Sequence, residues 1–141
     1  MGLQECIFLG NLDARLEWGH AKNFVELQLL MLQELEPDVY VIAIGQQHSV
    51  REFVEIAWRE IGIEIHRQGN GIEEIGMDSR TSKTVVRIDT RYFRPKEVDS
   101  LLGYAGKALE KLGWTPRISF EEMVREMVAH NLREVERDAL G

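Results

Sequence analysis

A chain of 141 residues with 44% apolar residues is long enough for one soluble domain with its own core, and we predict a single domain over residues 1–141. Its net charge of −7 argues against nonspecific binding to nucleic acid or to an acidic membrane surface, since both need a cationic face. We find no signal-peptide pattern, and the apolar stretch Leu27–Leu32, interrupted by Gln28, is far too short to span a bilayer. The single Cys6 lies in an apolar run, so we expect a buried thiol in a reducing, cytoplasmic protein.

The first third of the chain has the pattern of a strand, a helix and a second strand. Cys6–Leu9 has the composition of a short buried strand. A helix should follow over Ala21–Leu35, where apolar residues nearly encircle the predicted helix and Pro37 prevents its continuation. Val39–Ile44 then has the pattern of a second buried strand.

The middle of the chain predicts a capped helix, a third strand and an irregular connection. Ser49 and Glu52 form a capping-box signature, which indicates the start of an amphipathic helix. We expect the third strand at Glu64–Arg67, followed by a turn at Gly69–Gly71. Ile72–Lys83 shows no clear period, and we predict a flexible surface connection there.

The last third predicts one strand and two helices. Thr84–Ile88 is the fourth predicted strand, and Ala105–Leu112 should form a short helix. A second capping box, Ser119 with Glu122, opens a final helix whose apolar residues follow the helical repeat. The alternation of strands and helices predicts one α/β unit.

The segment Arg91–Val98 directly follows the fourth predicted strand and combines arginines, aromatics and a carboxylate around one proline. Pro95 disfavours helical geometry at Arg94. The Arg94 guanidinium can donate a planar fork of hydrogen bonds to phosphate oxygens, and Glu97 can accept hydrogen bonds from sugar hydroxyls. The alternative interpretation is a surface loop with a local ion pair.

Five short motifs give this segment a context, because they occur in one order along the chain. They are Asn11–Ala14, Trp18–Lys22, His48–Val54, Arg91–Val98 and Lys111–Trp114. In this order and spacing the sequence closely resembles the carboxyl-terminal half of GDP-mannose 4,6-dehydratases, from about Leu3 to about Arg137. These are sugar-nucleotide enzymes of the extended short-chain dehydrogenase/reductase class.

The resemblance implies an α/β fold that forms the carboxyl-terminal, substrate-binding portion of such an enzyme, without the amino-terminal Rossmann cofactor domain. Enzymes of the family are lyases that convert GDP-mannose to GDP-4-keto-6-deoxymannose by NADP-dependent internal hydride transfer and elimination of water. Their cofactor and catalytic residues belong to the amino-terminal half. We therefore expect no cofactor and no catalytic residue in this chain, and no dehydration by this chain alone.

The resemblance also implies a half-site for GDP-mannose or another GDP-sugar. Arg94 would contact the diphosphate and Glu97 the ribose hydroxyls, and Arg15 is a third substrate-binding candidate. The family typically has an arginine where this chain has Leu16, so Arg15 stands one position early and points in another direction in an extended segment. Loss of one charge-assisted contact costs about 1.5–3 kcal/mol, or about ten- to a hundred-fold in affinity. Further departures from the family pattern are Asn23 for aspartate, Ile44 for threonine, and Tyr104–Gly106 for an Asp-Pro helix start.

No metal site is expected, because the four histidines are scattered along the chain and only one cysteine accompanies them. We expect His20 and His48 to make local hydrogen bonds. Three hypotheses stay open: the substrate-binding portion of a dehydratase, a non-enzymatic interaction module that kept the fold and lost the activity, and a truncated product without a role of its own. The apolar Ala21–Leu35 helix predicts a homo-oligomer or pairing with a separate chain that carries the cofactor domain.

Overall fold

The computed structural model describes residues 4–93 and 102–140. Its internal contacts divide the chain into two units. We call residues 1–14 and 49–99 the sheet unit, and residues 15–48 and 100–141 the helical unit. The mixed α/β composition predicted from the sequence is confirmed. The expectation of a single domain over residues 1–141 stays a prediction.

The described residues form six strands, four α-helices and a short 3-10 helix. In chain order they are β1 (Ile7–Leu9), β2 (Arg15–Leu16), α1 (Ala21–Met31), β3 (His48–Ser49), α2 (Val50–Glu60), β4 (Ile65–Gln68), the 3-10 helix (Gly71–Glu73), β5 (Ile75–Asp78), β6 (Thr84–Ile88), α3 (Gly106–Leu112) and α4 (Phe120–Leu140). The chain passes from the helical unit to the sheet unit within β3.

The sheet unit is built on a four-stranded sheet in the order β1-β6-β5-β4. β1 runs parallel to β6, with Ile7 opposite Val86, whereas β5 is antiparallel to both β6 and β4. Val85 and Val86 of β6 are buried at its centre. The predicted strand at Thr84–Ile88 is confirmed, and the one predicted at Glu64–Arg67 is confirmed with a shift of one residue.

The prediction of a flexible connection over Ile72–Lys83 is wrong, because β5 lies there between β4 and β6. Gly76 interrupts the apolar pattern of this strand. A Cβ at that position would lie 3.0 Å from the Ile65 Cγ2 and 3.1 Å from the Val86 Cβ, so a side chain would crowd both neighbouring strands. The buried Asp78 then caps the turn into β6, accepting hydrogen bonds from the Arg80 amide at 2.9 Å and the Thr81 hydroxyl at 2.8 Å.

β1 forms as predicted, but it is not a buried strand. Ile7 and Phe8 are both exposed, and Cys6 beside them is half-buried. The reason is topological: β1 is the terminal strand of the sheet and pairs with β6 alone among the described strands. Partial burial still raises the pKa of the Cys6 thiol.

α2 begins where the sequence predicted. The Ser49 hydroxyl accepts from the Glu52 amide at 3.1 Å and the Glu52 carboxylate accepts from the Ser49 amide at 3.0 Å, which completes the capping box. Gly62, with a φ of 76°, follows the end of the helix, where a residue with a Cβ would be strained.

The helical unit packs around a core of Leu27, Tyr40, Ala108 and Trp114. α4 begins at the second predicted capping box, because the Ser119 amide donates to the Glu122 carboxylate at 2.8 Å. α3 also forms as predicted. It ends at Gly113, whose left-handed φ of 63° suits glycine.

Two sequence predictions about the helical unit are wrong. α1 ends at Met31 rather than Leu35; Leu32 is 82% exposed and Leu35 is 100% exposed, so a longer helix would bury nothing further. Val39–Ile44 is not a strand, because it joins neither the four-stranded sheet nor the two-stranded sheet of β2 and β3. A strand needs a partner strand for its backbone groups, and no described residue provides one for this segment.

Candidate functional site

The parallel pair β1 and β6 brings two chain segments to one edge of the sheet. The strands end at Leu9 and Ile88, which lie opposite each other. The Asp89 amide donates to the Leu9 carbonyl at 2.8 Å, so the segments that leave the two strands start side by side. The carboxyl edge of parallel strands is where ligands bind in open α/β sheets.

Asp89 organises the segment that leaves β6. Its carboxylate accepts from the Arg91 amide at 2.9 Å and from the Arg91 guanidinium at 2.6 Å and 3.0 Å. The Arg91 side chain holds the pKa of the Asp89 carboxyl below its usual range. Arg91 therefore forms a local ion pair, as the alternative interpretation of Arg91–Val98 predicted. Its partner, Asp89, lies two residues before Arg91.

Gly10 lets the two segments approach closely. A Cβ on Gly10 would clash with the Tyr92 carbonyl group. The chain turns at this point, since the Tyr92 amide donates to the Asp89 carbonyl at 3.0 Å and the Phe93 amide to the Thr90 carbonyl at 3.3 Å. The predicted phosphate ligand Arg94 and ribose ligand Glu97 come next and lie outside the described residues, so their roles stay predictions.

Arg15, the third predicted ligand, lies in β2 of the helical unit with its side chain exposed. Its neighbour Leu16 is exposed as well. Consecutive side chains of a strand point to opposite faces, so Arg15 does not occupy the direction of the arginine that the family has at the next position. The substrate-binding role of Arg15 stays a prediction.

Glu17, which the sequence analysis did not single out, links two distant loops of the helical unit. Its carboxylate accepts from the Gly45 amide and, at 3.0 Å, from the Gly103 amide. Gly103 must be small, because a Cβ there would clash with Ala43. No local pattern could have shown this role, since the partners are 28 and 86 residues away. The role of Asp89 has a clearer signal in the sequence. An aspartate directly after a strand is typical of a turn in which the aspartate side chain accepts backbone hydrogen bonds.

The residues around Trp18 form an aromatic cluster in the helical unit. The Trp18 Nε1 donates to the His48 carbonyl at 2.9 Å, and the His48 ring stacks on Phe120 with centroids 4.0 Å apart. His20 caps α1 by accepting from the Lys22 amide at 3.0 Å through Nδ1, so Nε2 carries the proton that faces Glu126 at 3.3 Å. The predicted local hydrogen bond of His20 is confirmed, whereas that of His48 stays a prediction.

Two of the sequence motifs contact each other within the sheet unit. The Arg51 guanidinium donates to the Asp13 carboxylate at 2.7 Å and also pairs with Glu74, and the Arg51 amide donates to the Leu12 carbonyl at 2.9 Å. Both carboxylates raise the pKa of Arg51 against the effect of its partial burial. These motif residues thus hold α2 against the loop after β1, and their role is structural.

Asn23 is the corresponding link in the helical unit. Its side chain is fully buried, accepts from the Arg117 and Ile118 amides at 3.1 Å, and donates to the Ile118 carbonyl at 2.9 Å. The Trp114 Nε1 donates to the Asn23 carbonyl at 3.1 Å. An ionised aspartate has no donor for the Ile118 carbonyl, so the amide suits this environment better than the carboxylate typical of the family.

Comparison with known proteins decides the family. A family model described as GDP-mannose 4,6 dehydratase matches residues 1–127. The chain belongs to the GDP-mannose 4,6-dehydratase family. A relative from Yersinia enterocolitica is 48% identical over 150 residues, and the match covers 99% of this chain and 40% of the relative. A human relative is 52% identical over 128 residues, covering 91% of this chain and 34% of the relative.

The chain therefore spans about a third to two fifths of the length of these two relatives. Among solved structures, RMD from Pseudomonas aeruginosa, complexed with NADPH, matches with a TM-score of 0.69 and 19% identity over 91% of this chain and 36% of that protein. UDP-glucose 4-epimerase from Thermotoga maritima matches with a TM-score of 0.66 and 18% identity over 92% of this chain and 36% of that protein. At these identities the likeness concerns the fold alone.

Residues 4–93 and 102–140 contain neither a cluster of metal ligands nor a membrane-spanning helix. No group of three His, Cys, Asp or Glu side chains there could hold a metal ion. None of the helices in that part of the chain is both long enough and apolar enough to cross a membrane.

Proposed function

We propose that this chain is the substrate-binding portion of a GDP-mannose 4,6-dehydratase. Family membership supports this proposal, as does the observation that carries it: the chain leaves β6 after Ile88, six residues before Arg94, at the carboxyl edge of a parallel strand pair. At that edge Arg94 would bind the diphosphate of GDP-mannose and Glu97 the ribose hydroxyls. Arg15 is the third substrate-binding candidate of this proposal.

In this proposal the chain holds the nucleotide and does not perform the chemistry. Hydride transfer in the dehydratase would require NADP, a cofactor that we assign to the part of the family's length outside this chain. Residues of this chain would orient the GDP moiety through charge-assisted hydrogen bonds, which fix a phosphate in position as well as attract it. We assign no catalytic residue to this chain.

Isothermal titration calorimetry with GDP and GDP-mannose tests the proposal. Arg94→Ala should weaken binding about ten- to a hundred-fold, since one charge-assisted contact contributes about 1.5–3 kcal/mol. Arg137→Ala is the matched control, because Arg137 lies on α4 and pairs with Glu134 of the same helix. Equal affinities for the wild type and Arg94→Ala would refute the assignment of Arg94.

The second candidate function is a non-enzymatic interaction module, favoured by two observations. Leu16 is exposed in β2, at the position where the resemblance implies a phosphate-binding arginine, and the helical unit exposes many large apolar residues. The same titration separates the two candidates. A wild-type chain that binds neither GDP nor GDP-mannose would favour the module.

A further inference from the structure

Two aspartates flank β6 and close turns of the same kind. The Asp78 carboxylate accepts from the Arg80 amide at 2.9 Å. The Asp89 carboxylate accepts from the Arg91 amide, also at 2.9 Å, so each side chain binds the backbone two residues further on. Asp78 is the last residue of β5 and lies before β6, whereas Asp89 directly follows β6. The sheet unit therefore contains two matched turns at opposite ends of one strand.

The surroundings of the two turns differ. The Asp78 turn connects β5 to β6, which are antiparallel neighbours. The Asp89 turn lies at the carboxyl edge of the parallel pair β1 and β6, and this is the kind of edge at which open α/β sheets bind ligands. β6 has five residues, so roughly 15 Å separate the two turns along the strand.

Several contacts fix the course of the chain from Asp89 to Phe93. The Asp89 carboxylate binds the Arg91 guanidinium, at 2.6 Å, in addition to the Arg91 amide. The Tyr92 and Phe93 amides donate to the carbonyls of residues 89 and 90 at 3.0 Å and 3.3 Å. A Cβ on Gly10 would clash with the Tyr92 carbonyl, so the backbone of the turn lies directly against that of Gly10.

We propose that Asp89 is a positioning residue of the nucleotide site, because its turn sets the point from which the chain reaches Arg94. Phe93 immediately precedes Arg94, and consecutive Cα atoms lie about 3.8 Å apart, so the position of Phe93 limits that of Arg94. A hydrogen bond from a guanidinium to a phosphate depends steeply on distance and angle, so a displaced turn weakens it. The inference rests on the proposed function and adds to it a residue that decides affinity without touching the ligand.

Titration calorimetry with GDP-mannose tests the inference on two variants of Asp89. Asp89→Ala removes the acceptor of the Arg91 amide and should weaken binding about tenfold, near the lower limit for loss of the Arg94 contact. Asp89→Asn keeps a side-chain oxygen for that amide and gives up an ion pair whose arginine is mainly exposed. Its affinity should therefore stay within about threefold of the wild type.

Asp78→Ala is the matched control, because it removes the same type of hydrogen bond at the other end of β6. Urea denaturation should show that Asp78→Ala and Asp89→Ala both destabilise the chain, whereas only Asp89→Ala should lose affinity. Gly10→Ala displaces the same turn while Asp89 stays intact, and it should also weaken binding about tenfold. It provides an independent measurement should Asp89→Ala fail to fold.

A variant that combines Asp89→Ala with Arg94→Ala shows whether Asp89 acts through Arg94. The displaced turn weakens a contact that Arg94→Ala removes altogether. The combined loss of affinity should therefore be smaller than the product of the two single fold-losses.

Three outcomes would overturn the inference while the proposed function stands on the effect of Arg94→Ala. They are wild-type affinity in both Asp89→Ala and Gly10→Ala, an equal loss of affinity in Asp78→Ala, and a combined loss equal to the product of the single losses. In the last case Asp89 would act independently of Arg94. A wild-type chain without affinity for GDP-mannose would refute the proposed function and this inference with it.

Discussion

Two apolar segments of similar length, Thr84–Ile88 in the sheet unit and Val39–Ile44 in the helical unit, have different structures. The first is β6, paired on one edge with β1 and on the other with β5. The second is the more apolar of the two and yet joins no strand among the described residues. Composition alone therefore does not make a strand; a partner for the backbone is also required.

The same contrast extends to the two units. In the sheet unit, the strands form backbone hydrogen bonds with one another, and ion pairs of Arg51 with Asp13 and Glu74 add further contacts. In the helical unit, a core around Leu27 and Trp114 coexists with exposed apolar residues on α1 and beyond it. We interpret the sheet unit as a structure whose strands provide one another with backbone hydrogen bonds. The exposed apolar residues of the helical unit we interpret as a surface for a partner.

The largest effect should come from the core of the helical unit. Leu27→Ala should lower the free energy of unfolding by about 2–5 kcal/mol, because it leaves a cavity at a fully buried position of α1. Urea denaturation followed by circular dichroism measures the change. Leu32→Ala is the control at the end of the same helix, and at 82% exposure it should stay within about 0.5 kcal/mol of the wild type. Equal effects would mean that the helical unit has no core of its own.

A slightly smaller effect is expected at Asn23. Asn23→Ala removes three side-chain hydrogen bonds to residues 117 and 118 and leaves partly buried backbone groups without these partners. The free energy of unfolding should fall by about 2–3 kcal/mol. The control, Gln28→Ala, removes an exposed amide from the same helix and should change little. A neutral Asn23→Ala would contradict the role of this residue as a link between α1 and the segment before α4.

The capping boxes allow the two units to be compared directly. Ser49→Ala at α2 and Ser119→Ala at α4 should each cost about 1 kcal/mol, since each removes an acceptor for a helical amide. Ser49 is buried and Ser119 is exposed, so the effect should be larger at Ser49. Denaturant midpoints of the two variants provide the comparison, and Thr substitutions, which keep the hydroxyl, should recover most of each loss.

The smallest effect is expected for the pH dependence of the ion pairs that Asp38 forms with Lys107 and Lys111. Hydrogen bonds from Lys107 and then Lys111 hold the pKa of Asp38 well below its usual value of 3.8. A carboxyl with a lowered folded-state pKa stabilises the fold above its unfolded pKa and loses that contribution as the pH falls through the folded value. Asp38→Asn should therefore be less stable than the wild type at neutral pH, and the difference should shrink below about pH 4.

Thermal unfolding between neutral and acidic pH checks this prediction. The control is Asp138→Asn near the end of α4, where the nearest cation, Arg137, is 4.0 Å away. That variant should follow the wild type across the whole range. A difference for Asp38→Asn that stays constant with pH would show that the ion pair with Lys107 and Lys111 is not its cause.

Local signals in the sequence predicted much of the fold. The capping boxes at Ser49 and Ser119 placed the starts of α2 and α4, and Gly113 placed the end of α3. Each of these is decided within a few residues, since a cap concerns only the first or last turn of a helix. β5 was missed because Gly76 interrupts its apolar pattern, and glycine is required there by the side chains of two other strands.

The candidate site was predicted less completely. The substrate-binding roles of Arg94, Glu97 and Arg15 stay predictions, and the separation in direction between Arg15 and Leu16 follows from the strand geometry of β2. Glu17 and Asn23 were not recognised as links, because their partners lie 28 to 95 residues away. Contacts of that range leave no periodic pattern in a sequence.

By itself the sequence determined the family, the α/β class and the positions of most helices, because ordered motifs, caps and apolar periods are local properties of the chain. Only the tertiary structure decided which apolar segments became strands, which charged motif residues are structural, and where apolar surface stays exposed. The physical reason is that backbone pairing and burial depend on partners distant in sequence. Val39–Ile44 shows this most clearly, since its sequence specifies a strand for which no described residue provides a partner.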